Sequence, residues 1–92
     1  MAFQVGVAEQ HQVVVSFTKG WGYLSIAVDG SKVVSTIRVG SVGLVKTYDF
    51  MVGVNEPHQV RVEKHREQLF GAFRPQKIFA FVDGQLVAQG VV

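Results

Sequence analysis

The stretch "VGVNEPHQVRV", residues 52–62, nearly repeats "VGVAEQHQVVV", residues 5–15: eight of the eleven positions are identical. A chain of 92 residues has room for one hydrophobic core, so the repetition describes how that core is built. Each copy opens with Val-Gly-Val, continues as Glu-x-His-Gln-Val and runs into an alternating apolar segment. Downstream of each stands Val-Asp-Gly, in "VDGSKV" at 28–33 and "VDGQLV" at 82–87. Asp tolerates the left-handed conformation and Gly adopts it freely, so both read as type I′ hairpin turns. That role is a sufficient explanation for Asp29 and Asp83. The chain therefore repeats one order of strands and turns, at approximately 5–39 and 52–90. The interval from His to Val-Asp-Gly is seven residues longer in the second copy.

The period of the apolar residues is two. "FQVGV" puts Phe3, Val5 and Val7 on one face, "VVVSF" does so with Val13, Val15 and Phe17, and "YLSIAV" with Leu24, Ile26 and Val28. Alternation of this kind marks half-buried strands, and the many β-branched residues suit a pleated backbone. No segment holds a helical period. The reading is an all-β antiparallel sandwich of about eight strands in a single domain, residues 1–92, with an internal duplication and a pseudo-twofold axis. The strands are placed at 3–7, 11–18, 22–28, 31–39, 44–48, 50–54, 58–64 and 77–82. The segment 85–89 is a ninth, or the last of eight if 44–54 is continuous. Gly40 and Gly43 in "RVGSVG" are expected at a bend or bulge.

Composition narrows the function classes. The hydrophobic fraction of 48% excludes a disordered chain. No apolar run reaches the roughly 18–20 residues that span a bilayer, and the N-terminus lacks the pattern of a secretory signal. There is no cysteine, which removes thiolate chemistry and cysteine-based zinc sites and fits a reducing, cytoplasmic setting. The net charge of +2 is mild, but Arg61, Lys64, Arg66, Arg74 and Lys77 gather in 61–77, opposed there by Glu63 and Glu67.

The segments "HQVVVSFTKGWGYLSIAVDGSKV", "YDFMVGV", "HQVRV" and "IFAFVDGQLV" together resemble the N-terminal domain of the Fas apoptosis inhibitory molecule family. The positions that carry the resemblance are His11, Val28-Asp29-Gly30, Phe50-Met51-Val52-Gly53 and Val82-Asp83-Gly84, and it runs over most of the chain. It implies a compact antiparallel β-sandwich that acts through protein contacts, without enzymatic activity, and it carries over no catalytic motif.

Glu9-x-His11 and Glu56-x-His58 are the sharpest polar features. Alternation places each Glu on the same face as its His, and a carboxylate orienting an imidazole is a common way to build a base or a metal ligand. Two such pairs meeting on an axis would make a small metal-dependent enzyme around His11 and His58. The alternative is that each His caps backbone groups where its strand begins, as Pro57 before His58 suggests. No serine stands in a nucleophile context and no phosphate loop is present, so no catalytic residue and no cofactor are assigned.

The loop "EQLFGAFRPQ", 67–76, is apolar where a loop is ordinarily polar. Leu69, Phe70 and Phe73, flanked by Arg66 and Arg74, and Trp21 of the shorter "KGWG" either cap the sandwich or form a contact surface. These six are the candidate binding residues, for a protein partner or a second copy of the chain. The alternative is a nucleic acid or another anion, bound by the basic and aromatic residues of 61–77. A mean hydropathy of +0.25 and the apolar terminal segment "GQLVAQGVV" favour association along a sheet edge, as a homodimer.

Overall fold

The computed structural model describes residues 1–18, 23–33, 37–65 and 77–91, the side chains of Phe17, Thr18, Tyr23 and Val42 excepted. Nine strands lie in these residues: β1 (Ala2–Val5), β2 (His11–Thr18), β3 (Tyr23–Val28), β4 (Ser31–Lys32), β5 (Arg38–Val42), β6 (Val45–Val52), β7 (His58–His65), β8 (Lys77–Val82) and β9 (Gln85–Val91). They form two antiparallel sheets that pack together, one of order β1-β2-β3-β4 and one of order β5-β6-β7-β8-β9. Each sheet is thus one copy of the repeat, β1–β4 against β6–β9, and β5 is an addition to the second. Every strand in both sheets pairs with its neighbour in sequence.

Alternation builds the interior. Phe3, Val5, Val13, Val15 and Ile26 point inward from the first sheet. Phe50, Val52, Val60, Val62, Ile78 and Ala80 do so from the second, with Tyr48. The inner faces correspond by position in the repeat: Phe3 with Phe50, Val5 with Val52, Val13 with Val60, Val15 with Val62, and Val28 with Val82. Burial of one such valine contributes about 1.5–3 kcal/mol relative to an exposed one. The hairpins turn as Asp-Gly requires, with φ of 52° and 84° at Asp29 and Gly30, and 50° and 83° at Asp83 and Gly84.

The strand limits depart from the sequence reading chiefly where glycines stand and where the chain changes sheet. The strand placed at 3–7 stops at Val5, because Gly6 takes φ +99°. Val7 is then 84% exposed instead of sharing a face with Phe3 and Val5. Of the two readings of 44–54 the continuous one holds, as β6, though the strand ends before Gly53 at φ +102°. The strand placed at 31–39 divides into β4 and β5, which belong to different sheets. A sandwich must pass its chain across about 10 Å between sheets, and "SKVVSTIRV" breaks its alternation at Val33-Val34 and Ser35-Thr36, a signal that the reading as one strand passes over. Gly43 (φ +58°) lies in the β5–β6 turn, but Gly40 stays in register opposite Thr47, whose Oγ1 leaves no comfortable space for a Cβ there.

Candidate functional site

The repeated words meet. After β1, the loop 6–10 crosses the loop 53–57 that follows β6, and each sends its glutamate into the other's backbone. The Val54 amide donates to Glu9 Oε2 at 2.7 Å and the Asn55 amide to Glu9 Oε1 at 2.8 Å. Reciprocally, Val7 donates to Glu56 Oε2 at 2.7 Å, and Ala8 and Glu9 donate to Glu56 Oε1 at 2.8 and 3.4 Å. An amide in a tight loop has no strand partner, and a carboxylate with two oxygens can serve several such donors. Gly6 and Gly53 make the crossing possible. A Cβ on Gly6 would overlap the Glu9 carbonyl and stand 2.9 Å from Glu56 Oε2. On Gly53 it would overlap the Glu56 carbonyl and stand 2.9 Å from Glu9 Oε2.

Each glutamate is held by the histidine two residues on. His11 Nε2 donates to Glu9 Oε2 at 2.7 Å and Nδ1 to Asp29 Oδ2 at 2.5 Å. His58 Nε2 donates to Glu56 Oε2 at 2.5 Å and Nδ1 to Asp83 Oδ2 at 2.5 Å. The aspartates are fixed in turn: Asp29 Oδ1 accepts from the Gln12 amide and Asp83 Oδ1 from the Gln59 amide. Their own amides donate to the carbonyls of Gln12 and Gln59. The turn aspartates therefore do two things at once, closing the hairpin and orienting the imidazole.

An imidazole between two ionised carboxylates needs a proton on both nitrogens. Asp29 first and then Glu9 raise the His11 pKa, and Asp83 first and then Glu56 raise that of His58. The carboxylates move the other way. The His11 bond, then the Asn55 and Val54 amides, hold Glu9 at about 2. The His58 bond, then the Val7 and Ala8 amides, hold Glu56 at about 2. Asp29 and Asp83 are lowered chiefly by their histidines. With both ring nitrogens donating, neither imidazole offers a lone pair to a metal or a substrate proton. Among the described residues, no three metal-ligating side chains converge on one position for an ion. The expected roles are thus reversed: the glutamate caps the backbone, and the histidine holds the glutamate.

The proposed binding residues Trp21, Arg66, Leu69, Phe70, Phe73 and Arg74 lie outside the described residues. So does most of the loop 61–77, whose described members do not share one surface. Arg61 faces outward and pairs with Asp49 on the neighbouring strand, Nε to Oδ1 at 2.7 Å. That carboxylate lies outside 61–77, so strand pairing supplies a counter-charge that local sequence does not reveal. Lys64 follows Val60 and Val62 on the inner face and is 6% exposed, whereas Lys77 is exposed.

Sequence reasoning passed over the outer face of the second sheet. Phe79 and Phe81 of β8 point there, with the His65 ring edge-on to Phe79 at 4.9 Å. In β9, Leu86 stands opposite Phe81 and Val91 opposite Lys77, at 51% and 64% exposed. The signal was available: Ile78 and Ala80 alternate with the two phenylalanines, and only one set can face inward.

No protein-family model, curated protein or solved structure matches the chain, so the resemblance to the Fas apoptosis inhibitory molecule family rests on the residues quoted for it.

Proposed function

We propose that this chain is a non-catalytic interaction module that self-associates by antiparallel pairing of β9 with β9 of a second copy. The observation that carries the reading is the character of that edge. β9 has β8 on one side and is the end of its sheet, and Leu86, Val87 and Val91 are exposed along it. Residues 84–92 contain no charge and no proline, the devices that ordinarily keep an edge from pairing. Of the other edges, β4 and β5 carry Lys32 and Arg38, and β1, also uncharged, is only four residues long against seven in β9. An uncharged strand meets its own copy without like-charge repulsion, as an isologous contact needs. Phe79, Phe81 and Leu86 extend an apolar strip from that edge. The Glu–His–Asp arrays support a structural role for His11 and His58, since their ring nitrogens are engaged. The resemblance stated above points to protein contacts as well.

Sedimentation velocity over a concentration series tests the reading. A reversible dimer is expected, weakened at least about tenfold, or ~1.4 kcal/mol, by Leu86→Glu with the far-UV spectrum unchanged. Its affinity should change little with salt. A chain that stays monomeric to millimolar concentration overturns the reading. Binding to single-stranded nucleic acid that falls steeply with salt would favour the anion-binding alternative.

A further inference from the structure

We propose that two copies of this chain also exchange halves, the first sheet of each packing on the second sheet of the other. This contact is independent of the pairing of β9 with β9. The first sheet is built wholly from residues 2–32 and the second wholly from 38–91. Among the described residues, no strand pairing joins the two sheets. The chain passes between them once, between Lys32 and Arg38. Separating the sheets therefore leaves every described strand ladder within its own half.

What joins the halves is an interface of the kind seen between subunits. It consists of two inner apolar faces matched position by position, and a reciprocal exchange of Glu9 and Glu56 between loops. A first half from one chain offers a second half from another the same Phe3, Val5, Val13 and Val15, and the same Glu9 for the Val54 and Asn55 amides. Each such contact of the monomer is therefore available in an exchanged dimer, the condition under which domain swapping is cheap. The balance is set by the effective concentration of one half about the other, on the order of millimolar for a short connection. Exchange becomes competitive when the chains themselves approach that concentration while folding.

The test uses the full chain carrying Leu86→Glu, which weakens the β9 contact. It is unfolded in guanidinium and refolded by dilution at low and high protein concentration, then separated by size with light scattering. A dimer is expected whose fraction grows with refolding concentration and which persists when diluted in native buffer. It should return to monomer only after a second unfolding. Its amide spectrum over residues 6–10 and 53–57 should match that of the monomer, because the loops have the same neighbours. Monomer alone at every refolding concentration, a dimer that dissociates on simple dilution, or altered amide positions in those loops overturns the proposal.

Discussion

Residues 5–15 and 52–62 share eight of eleven residues and lie against each other, whereas the segments after β2 and β7 share neither length nor composition. The latter read "KGWG" at 19–22 and "REQLFGAFRPQ" at 66–76. The fourth strand of each copy diverges too: β4 has two residues and β9 has seven. The difference follows from which parts serve the other half. Glu9 is held by its own His11 but satisfies amides of the second loop; Glu56 is held by His58 and satisfies amides of the first. Loss of either glutamate leaves the amides of the other loop without their charged acceptor, and bonds to an ionised acceptor are stronger than neutral ones. Strand ends at a sheet margin carry no such obligation. At one equivalent position of the described core, Ile26 stands in the first sheet where Ala80 stands in the second.

That inequality yields the largest expected effect. Ile26→Ala empties a fully buried site of the first sheet and should cost about 2–5 kcal/mol, read by urea unfolding. A cost near that of a surface substitution would mean the two inner faces do not interlock at this level.

Next come the glycines, which separate the crossing loops from the hairpin turns. Gly6→Ala and Gly53→Ala put a Cβ into a neighbouring carbonyl at φ near +100°, and each should cost about 3 kcal/mol by strain alone. Gly30→Ala and Gly84→Ala share the positive φ but meet nothing within 4 Å, so about 1–2 kcal/mol is expected. Equal losses at all four positions would show that conformation, and not the closeness of the crossing, sets the requirement.

A smaller effect separates the arrays by pH. The folded pKa of His11 and His58 lies above the ordinary 6.5. Their contribution to stability is therefore complete below about 6.5 and is lost as pH rises through the raised value. The carboxyls of Glu9 and Glu56 fall from 4.5 to about 2, so theirs is complete above 4.5 and lost as pH falls toward 2. The melting temperature should be highest between these limits. The gap between the native chain and a His11→Gln, His58→Gln variant should narrow as pH rises above that range. A gap independent of pH would mean the imidazoles act only by filling space.

The repeat, the period of two and the two Asp-Gly turns were sufficient to read the sheets, because each is a local property of the chain. Reading Glu-x-His was only half possible. Alternation puts Glu9 beside His11, but nothing in the spacing shows that the carboxylate meets amides some 45 residues away. Proximity in sequence groups Lys64 with its basic neighbours, whereas strand parity places it with Val60 and Val62 on the inner face. The division of 31–39 between two sheets is marked only by broken alternation, Val33 beside Val34 and Ser35 beside Thr36, which interrupts a strand without showing which sheet each part joins.

The crossing itself is tested most directly by amide proton shifts of two single variants, Glu9→Ala and Glu56→Ala. Loss of a charged acceptor moves the amide that donated to it. Glu9→Ala should shift Val54 and Asn55 most among residues outside its own loop, and Glu56→Ala should shift Val7 and Ala8. Shifts confined to the mutated loop and its own histidine would contradict the reciprocal exchange, and with it the reason the sequence repeats.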